Sequence, residues 1–183
     1  MRRLLVASTV LLALLAPAVA AAKIDGPNDG TLVVRNADNG DGIDQGARPV
    51  VTLVITGFVI GRVSGQGRIE IYDLDPTDTS TPEVTGAGPG HDVTSKVGGA
   101  TIDGTSWTGT TPFTFRAVDG TYRVVVYGSG VYLFASGQGK VWFTGQSASN
   151  GSPSADGSYS LNGGDWNSLP FAGVKVISAD TPG

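Results

Sequence analysis

The sequence predicts an all-β protein: a two-layer antiparallel β-sandwich with two similar halves. Three observations carry that expectation. Apolar residues come in short runs bounded by Gly, Asp, Asn, Ser and Pro, the cadence of strands and turns. Beyond residue 22, no stretch keeps a helical period for three turns without a glycine or proline. Glycine accounts for 28 of 183 residues, about twice the usual ~7 %. Aromatic and β-branched residues are plentiful beside it, so the glycine marks turns, not disorder.

The N-terminus has the three-part build of a secretory signal. Arg2 and Arg3 precede an apolar stretch, Leu4–Leu15, and small residues follow at Ala16–Ala22. The apolar stretch is shorter than the roughly 20 residues that span a bilayer, and nothing after Lys23 is apolar enough to insert. Residues 1–22 therefore read as a signal peptide, 23–178 as a single β-rich domain and 179–183 as a tail. The expected location is secreted and extracellular. Without Arg2 and Arg3, ten of the 12 basic residues face 16 acidic ones, a formal charge of −6. Such a surface repels phosphate backbones, which argues against nucleic acid as a partner. The chain has no cysteine, so neither disulfide staples nor thiol chemistry is available.

The sharpest local signal is "PFTFRAVDGTYRVVVYG", Pro112–Gly128. Asp119-Gly120 suits a type I′ hairpin turn, which needs positive φ at both positions. That turn sets Ala117 against Tyr122, Phe115 against Val124 and Phe113 against Val126, all on one apolar face. The related phrases at Asp29–Thr31, Asp103–Thr105 and Asp156–Ser158 read as further turns.

Ser-Gly-Gln-Gly occurs twice, from Ser64 and from Ser136, an offset of 72. The same offset lays Thr52–Ile55 on Val124–Tyr127, and Ile69 and Ile71 on Val141 and Phe143. This predicts a duplicated β unit, with the glycine phrase as a joint where the chain bends between strands. Arg68 and Lys140 then begin strands and face solvent. A phosphate loop is excluded by Phe134 and Val141, which stand where glycine and Ser/Thr are required. A parallel β-helix is the alternative fold, suggested by the glycine spacing.

The chain also resembles a set of uncharacterised exported bacterial β-rich proteins. The likeness lies in the alanine-rich leader, "DGTL" at Asp29–Leu32, "IEIYDLDP" at Ile69–Pro76, "DGTYRV" at Asp119–Val124 and "DGSYSLNGGDWNSLP" at Asp156–Pro170. It implies the architecture and carries no activity.

Residues with chemistry are few. His91 is the single histidine, in the loop-like "GAGPGHDV", and no Gly-x-Ser-x-Gly elbow accompanies it. One histidine without cysteine is a poor zinc set. Asp38, Asp41 and Asp44 in "RNADNGDGIDQG" offer hard oxygens of the kind calcium takes. With Gly42 at the sixth position of such a loop, however, Ala37 and Arg48 fall on the first and twelfth. The expectation is no cofactor, with calcium at those three aspartates as the alternative. Asp73, Asp75 and Asp78 read as a solvated turn. Glu70 and Glu83 are the only glutamates, and neither suggests the paired carboxylates of a glycosidase. Trp107 and Trp166 sit among polar residues and are the candidate ligand-binding side chains, since exposed aromatics stack on sugar rings. Trp142 lies on a strand beside apolar neighbours.

The expected function is thus a non-enzymatic exported β-domain with a structural or binding role at or outside the cell surface. A polysaccharide or a cell-envelope component is the partner considered. A carbohydrate-binding module is the first alternative, and a hydrolase with an unrecognised carboxylate site the second.

Overall fold

The computed structural model of the chain describes residues 30–38, 42–44, 46–144, 157–169 and 174–178. The leader, Asp41 and the tail lie outside the described residues. The described residues form eleven strands: β1 (Gly30–Ala37), β2 (Val51–Val63), β3 (Gly67–Asp73), β4 (Glu83–Thr85), β5 (His91–Val97), β6 (Ala100–Gly109), β7 (Phe113–Gly128), β8 (Val131–Thr144), β9 (Ser158–Leu161), β10 (Asn167–Ser168) and β11 (Val174–Ser178). They form one open sheet in the order β10-β9-β1-β8-β2-β7-β3-β6-β5, with β11 added beside β8 and β4 beside β7. Every pairing among the described residues is antiparallel. The all-β class is therefore as expected. The β-helix alternative is not, because its coils pair strands in parallel.

Period-two alternation explains why these segments are strands. Val51, Leu53, Ile55, Val59 and Val63 of β2 are fully buried, and Val131, Leu133, Ala135, Val141 and Phe143 of β8 keep the same phase. With Leu32 and Val34 of β1 and Ile69 and Ile71 of β3 they make one continuous core.

The hairpin expected at Asp119-Gly120 does not form. β7 runs through it without a break, and both of its arms pair with β2: Ala117 with Val59, and Tyr122 with Ile55. The apolar face moves from odd to even positions there, from Phe113, Phe115 and Ala117 to Tyr122, Val124 and Val126. A hairpin turn produces such a slip, and so does one inserted residue. The chain uses the insertion. The register shifts between Gly57 and Val59 as β7 bulges, and Asp119 alone takes the left-handed conformation, φ +57°. Gly120 is constrained by space instead, since a Cβ there would sit 2.5 Å from the Tyr122 hydroxyl. Asp103-Gly104 likewise runs inside β6 and does not turn; the Tyr72 ring covers Gly104.

The two Ser-Gly-Gln-Gly phrases differ in role. Ser64–Gln66 does join β2 to β3. The second copy lies within β8, with Gly137 opposite Gly57 and Gln138 opposite Thr56. Gly57 in turn faces Gly120, so three glycines stand abreast on the three longest strands. Gly57 and Gly137 have φ of +145° and +140°, and a Cβ on Gly57 would lie 2.3 Å from the Ser136 carbonyl oxygen. Positive φ and close backbone approach suit such a row to a bend in the long strands. Gly128, at one end of β7, pairs with Gly67, while the ring of Phe113, at the other end, lies about one van der Waals contact from the same glycine. A straight strand of that length would hold its ends roughly 50 Å apart.

Candidate functional site

β2 and β8 each carry apolar residues in succession: Phe58-Val59-Ile60, and Val131 through Ala135. Alternation buries one set and must turn the other outward. The register then collects the outward set from strands distant in sequence. Val33 of β1 faces Phe134 of β8, which faces Ile60 of β2, which faces Arg116 of β7, which faces Glu83 of β4. In the adjoining row Tyr132 faces Arg62, then Thr114 and Thr85. Between these rows lies a groove of about 490 Å³. Ile60 and Tyr132 remain 43 % and 37 % exposed, unusual for large apolar side chains in mid-strand. Phe58 packs against Phe134 at 5.5 Å between ring centroids and extends the apolar floor.

Arginines rim the groove. The Arg35 guanidinium lies over the Trp166 ring at 4.0 Å, and that of Arg62 over Tyr132 at 5.2 Å. Arg116 pairs with Glu83 at 3.1 Å, both well exposed, a contact worth little in stability. Among the described residues neither Arg35 nor Arg62 has a carboxylate within ion-pairing distance.

The residues singled out from the sequence do not gather at one place. Trp166 is exposed, at 45 %, beside β10. Trp107 is half-buried on β6 and packs against the core, so it is less available than its polar neighbours suggested. The two tryptophans belong to opposite ends of the strand order. Trp142 is half-buried in β8. Asp44 is exposed and its carbonyl accepts from the Ala47 amide at 3.0 Å; Asp38 is half-buried. No group of three or more potential metal ligands occurs among the described residues. Asp73, Asp75 and Asp78 accept from the amides of Asp75, Thr77 and Ser80 at 2.9, 3.2 and 3.0 Å. They hold successive turns, as expected of such a segment. His91 is exposed at the start of β5. Arg68 departs from its expected solvent-facing position. It stacks on Tyr127 at 3.9 Å, donates to the Ile43 carbonyl at 2.8 Å and pairs with Glu70 at 3.3 Å. Lys140 is exposed in mid-strand.

Two buried tyrosines are held neutral. The Tyr72 hydroxyl donates to Glu70 at 2.9 Å. Burial first, then the Glu70 hydrogen bond and charge, push its pKa from 10.0 up to about 12. Tyr122 donates to the Val118 carbonyl at 3.0 Å and contacts the Ser80 hydroxyl; burial raises its pKa too. Groups that keep their proton so firmly are poor acids and bases near neutral pH. The Tyr72 bond stays within β3, whereas the contact of Tyr122 with Ser80 ties the β3–β4 loop to the sheet.

The groove went unread in the sequence because its members come from five strands. The available signal was the unbroken apolar run in β8, where one face of alternation should have been polar. No family model matches the chain, and no match was found among curated proteins or solved structures.

Proposed function

We propose that the chain is an exported, non-enzymatic binding domain whose ligand lies in the groove across β1, β8, β2, β7 and β4. The observation that carries this reading is the row Val33, Phe134, Ile60 with Tyr132 beside it, apolar and open on the outer face of a sheet whose other face already supplies the core. A soluble domain gains nothing in folding from such a row, and a groove of this volume falls in the range of small-molecule sites, about 300–1,000 Å³. Export rests on the leader sequence.

The test uses an uncharged apolar dye, Nile red. Its emission should rise and shift to the blue with the wild-type chain, and much less with Ile60→Gln or Tyr132→Ser, both at exposed positions that leave the core intact. No response, or an equal response from all three proteins, would overturn the groove as a site. Sugar binding through Trp107 and Trp166 ranks second and rests on the exposure of Trp166.

A finer architecture belongs to the same reading. The bend at the glycine row lets the halves of the long strands lie over one another as two layers, and Phe143 of β8 stacks on Tyr159 of β9 at 4.7 Å. The segments related by the 72-residue offset are neighbours: the start of β2 pairs with the end of β7, flanked by the end of β8 and by β3. That arrangement supports two similar halves.

A further inference from the structure

We infer that the groove takes an amphiphilic acid, its hydrocarbon body on Phe134, Ile60 and Tyr132 and its carboxylate held by Arg35 and Arg62. This rests on the groove being a binding site, and adds the chemistry of the ligand. Charge distribution is the first argument. The chain is acidic, with a pI near 4.7, yet Arg35, Arg62 and Arg116 are three of the six arginines that follow the leader, and all three line this groove. Glu83 compensates Arg116. No carboxylate of the described residues compensates the other two.

Geometry is the second argument. Arg35 and Arg62 each lie over an aromatic ring, Trp166 and Tyr132. A cation–π contact draws on the charge of the guanidinium and uses no conventional hydrogen bond, so its N–H fork, which matches a carboxylate, is left for a ligand. The ring also fixes the side chain, so less freedom is lost when an anion binds. The third argument is what the groove lacks. It contains no Asn, Gln or Asp, and its uncharged polar side chains are Thr85, Thr114 and Tyr132. Sugar hydroxyls set on the apolar floor of Phe134 and Ile60 would find no partner, at a cost for each one buried. A hydrocarbon body carries no such cost.

The experiment is calorimetric titration of the full mature chain with monomeric dodecanoate and, separately, dodecanol, at mildly alkaline pH. Dodecanoate should bind at least about tenfold more tightly, the equivalent of roughly 1.4 kcal/mol. Arg35→Gln with Arg62→Gln should remove that preference, read as the ratio of the two affinities in the same protein. Arg35→Lys with Arg62→Lys, which keeps the charge and loses the fork, should restore only part of it. Equal affinity for acid and alcohol would overturn the carboxylate inference and leave the groove standing as a site. Dodecanoate affinity unaltered in the glutamine variant would overturn it as well. Failure of both ligands, with a short oligouronide bound instead, would overturn the apolar body too.

Discussion

Tyr72 shows how one side chain ties sequence to solution behaviour. Its ring fills the space over Gly104, where any Cβ would stand 2.5 Å from the Tyr72 Cδ1, and its hydroxyl donates to Glu70. Ionising that hydroxyl would place a second negative charge against the carboxylate, in a buried position. The folded chain thus holds the proton to about pH 12, whereas the unfolded chain releases it near 10. Below 10 both states are protonated and the contribution to stability is complete. Between 10 and 12 the unfolded state binds fewer protons, so stability falls as pH rises. Tyr72→Phe should flatten that fall, measured as melting temperature against pH, with a residual slope from Tyr122. An identical slope in the variant would remove Tyr72 as its source. Alternation along β3 already sets Arg68, Glu70 and Tyr72 on one face, but the packing of Tyr72 over Gly104 depends on the pairing with β6, which the sequence does not show.

The phase slip in β7 separates what was legible from what was not. Six apolar residues in two sets, out of step by one, are visible in "FTFRAVDGTYRVVV". Both a turn and a bulge satisfy that pattern, and Asp-Gly suits either. The choice lies with β2, fifty residues and more away, which pairs with both arms along its thirteen residues. Non-local pairing overrode local turn chemistry. For the groove, the same distance hid the site: Phe134 and Ile60 were visible as apolar, but not as neighbours. The bulge makes a sharp test. Asp119→Gly should hold or raise stability, because glycine occupies φ +57° without the roughly 1–2 kcal/mol penalty of other residues. Deleting Asp119 should be far worse, since it turns Tyr122, Val124 and Val126 away from the core. Thermal unfolding and near-ultraviolet dichroism of the two proteins read the difference; similar melting temperatures would mean that β7 carries no bulge.

The molecule as a whole is held by pairings between distant segments. β2 joins β7 and β8, β1 joins β8 and β9, and β11 returns to β8. Folds of this kind pay loop closure before contacts reward it, and reach the native state in milliseconds to seconds. A chain of residues 23–130, lacking β8, should therefore fail to fold and should aggregate, seen as light scattering and thioflavin fluorescence that the chain through residue 183 does not give. A soluble, cooperatively melting fragment would contradict this. The register has a further meaning during synthesis. β2 is complete at Val63, but its neighbours begin only at Phe113 and Val131. Until those are made, "VTLVITGFVI" is a nascent apolar segment with both backbone edges open, the composition that invites pairing with another copy. A strand paired along both edges in the finished protein is thus open along both while the ribosome is still at work.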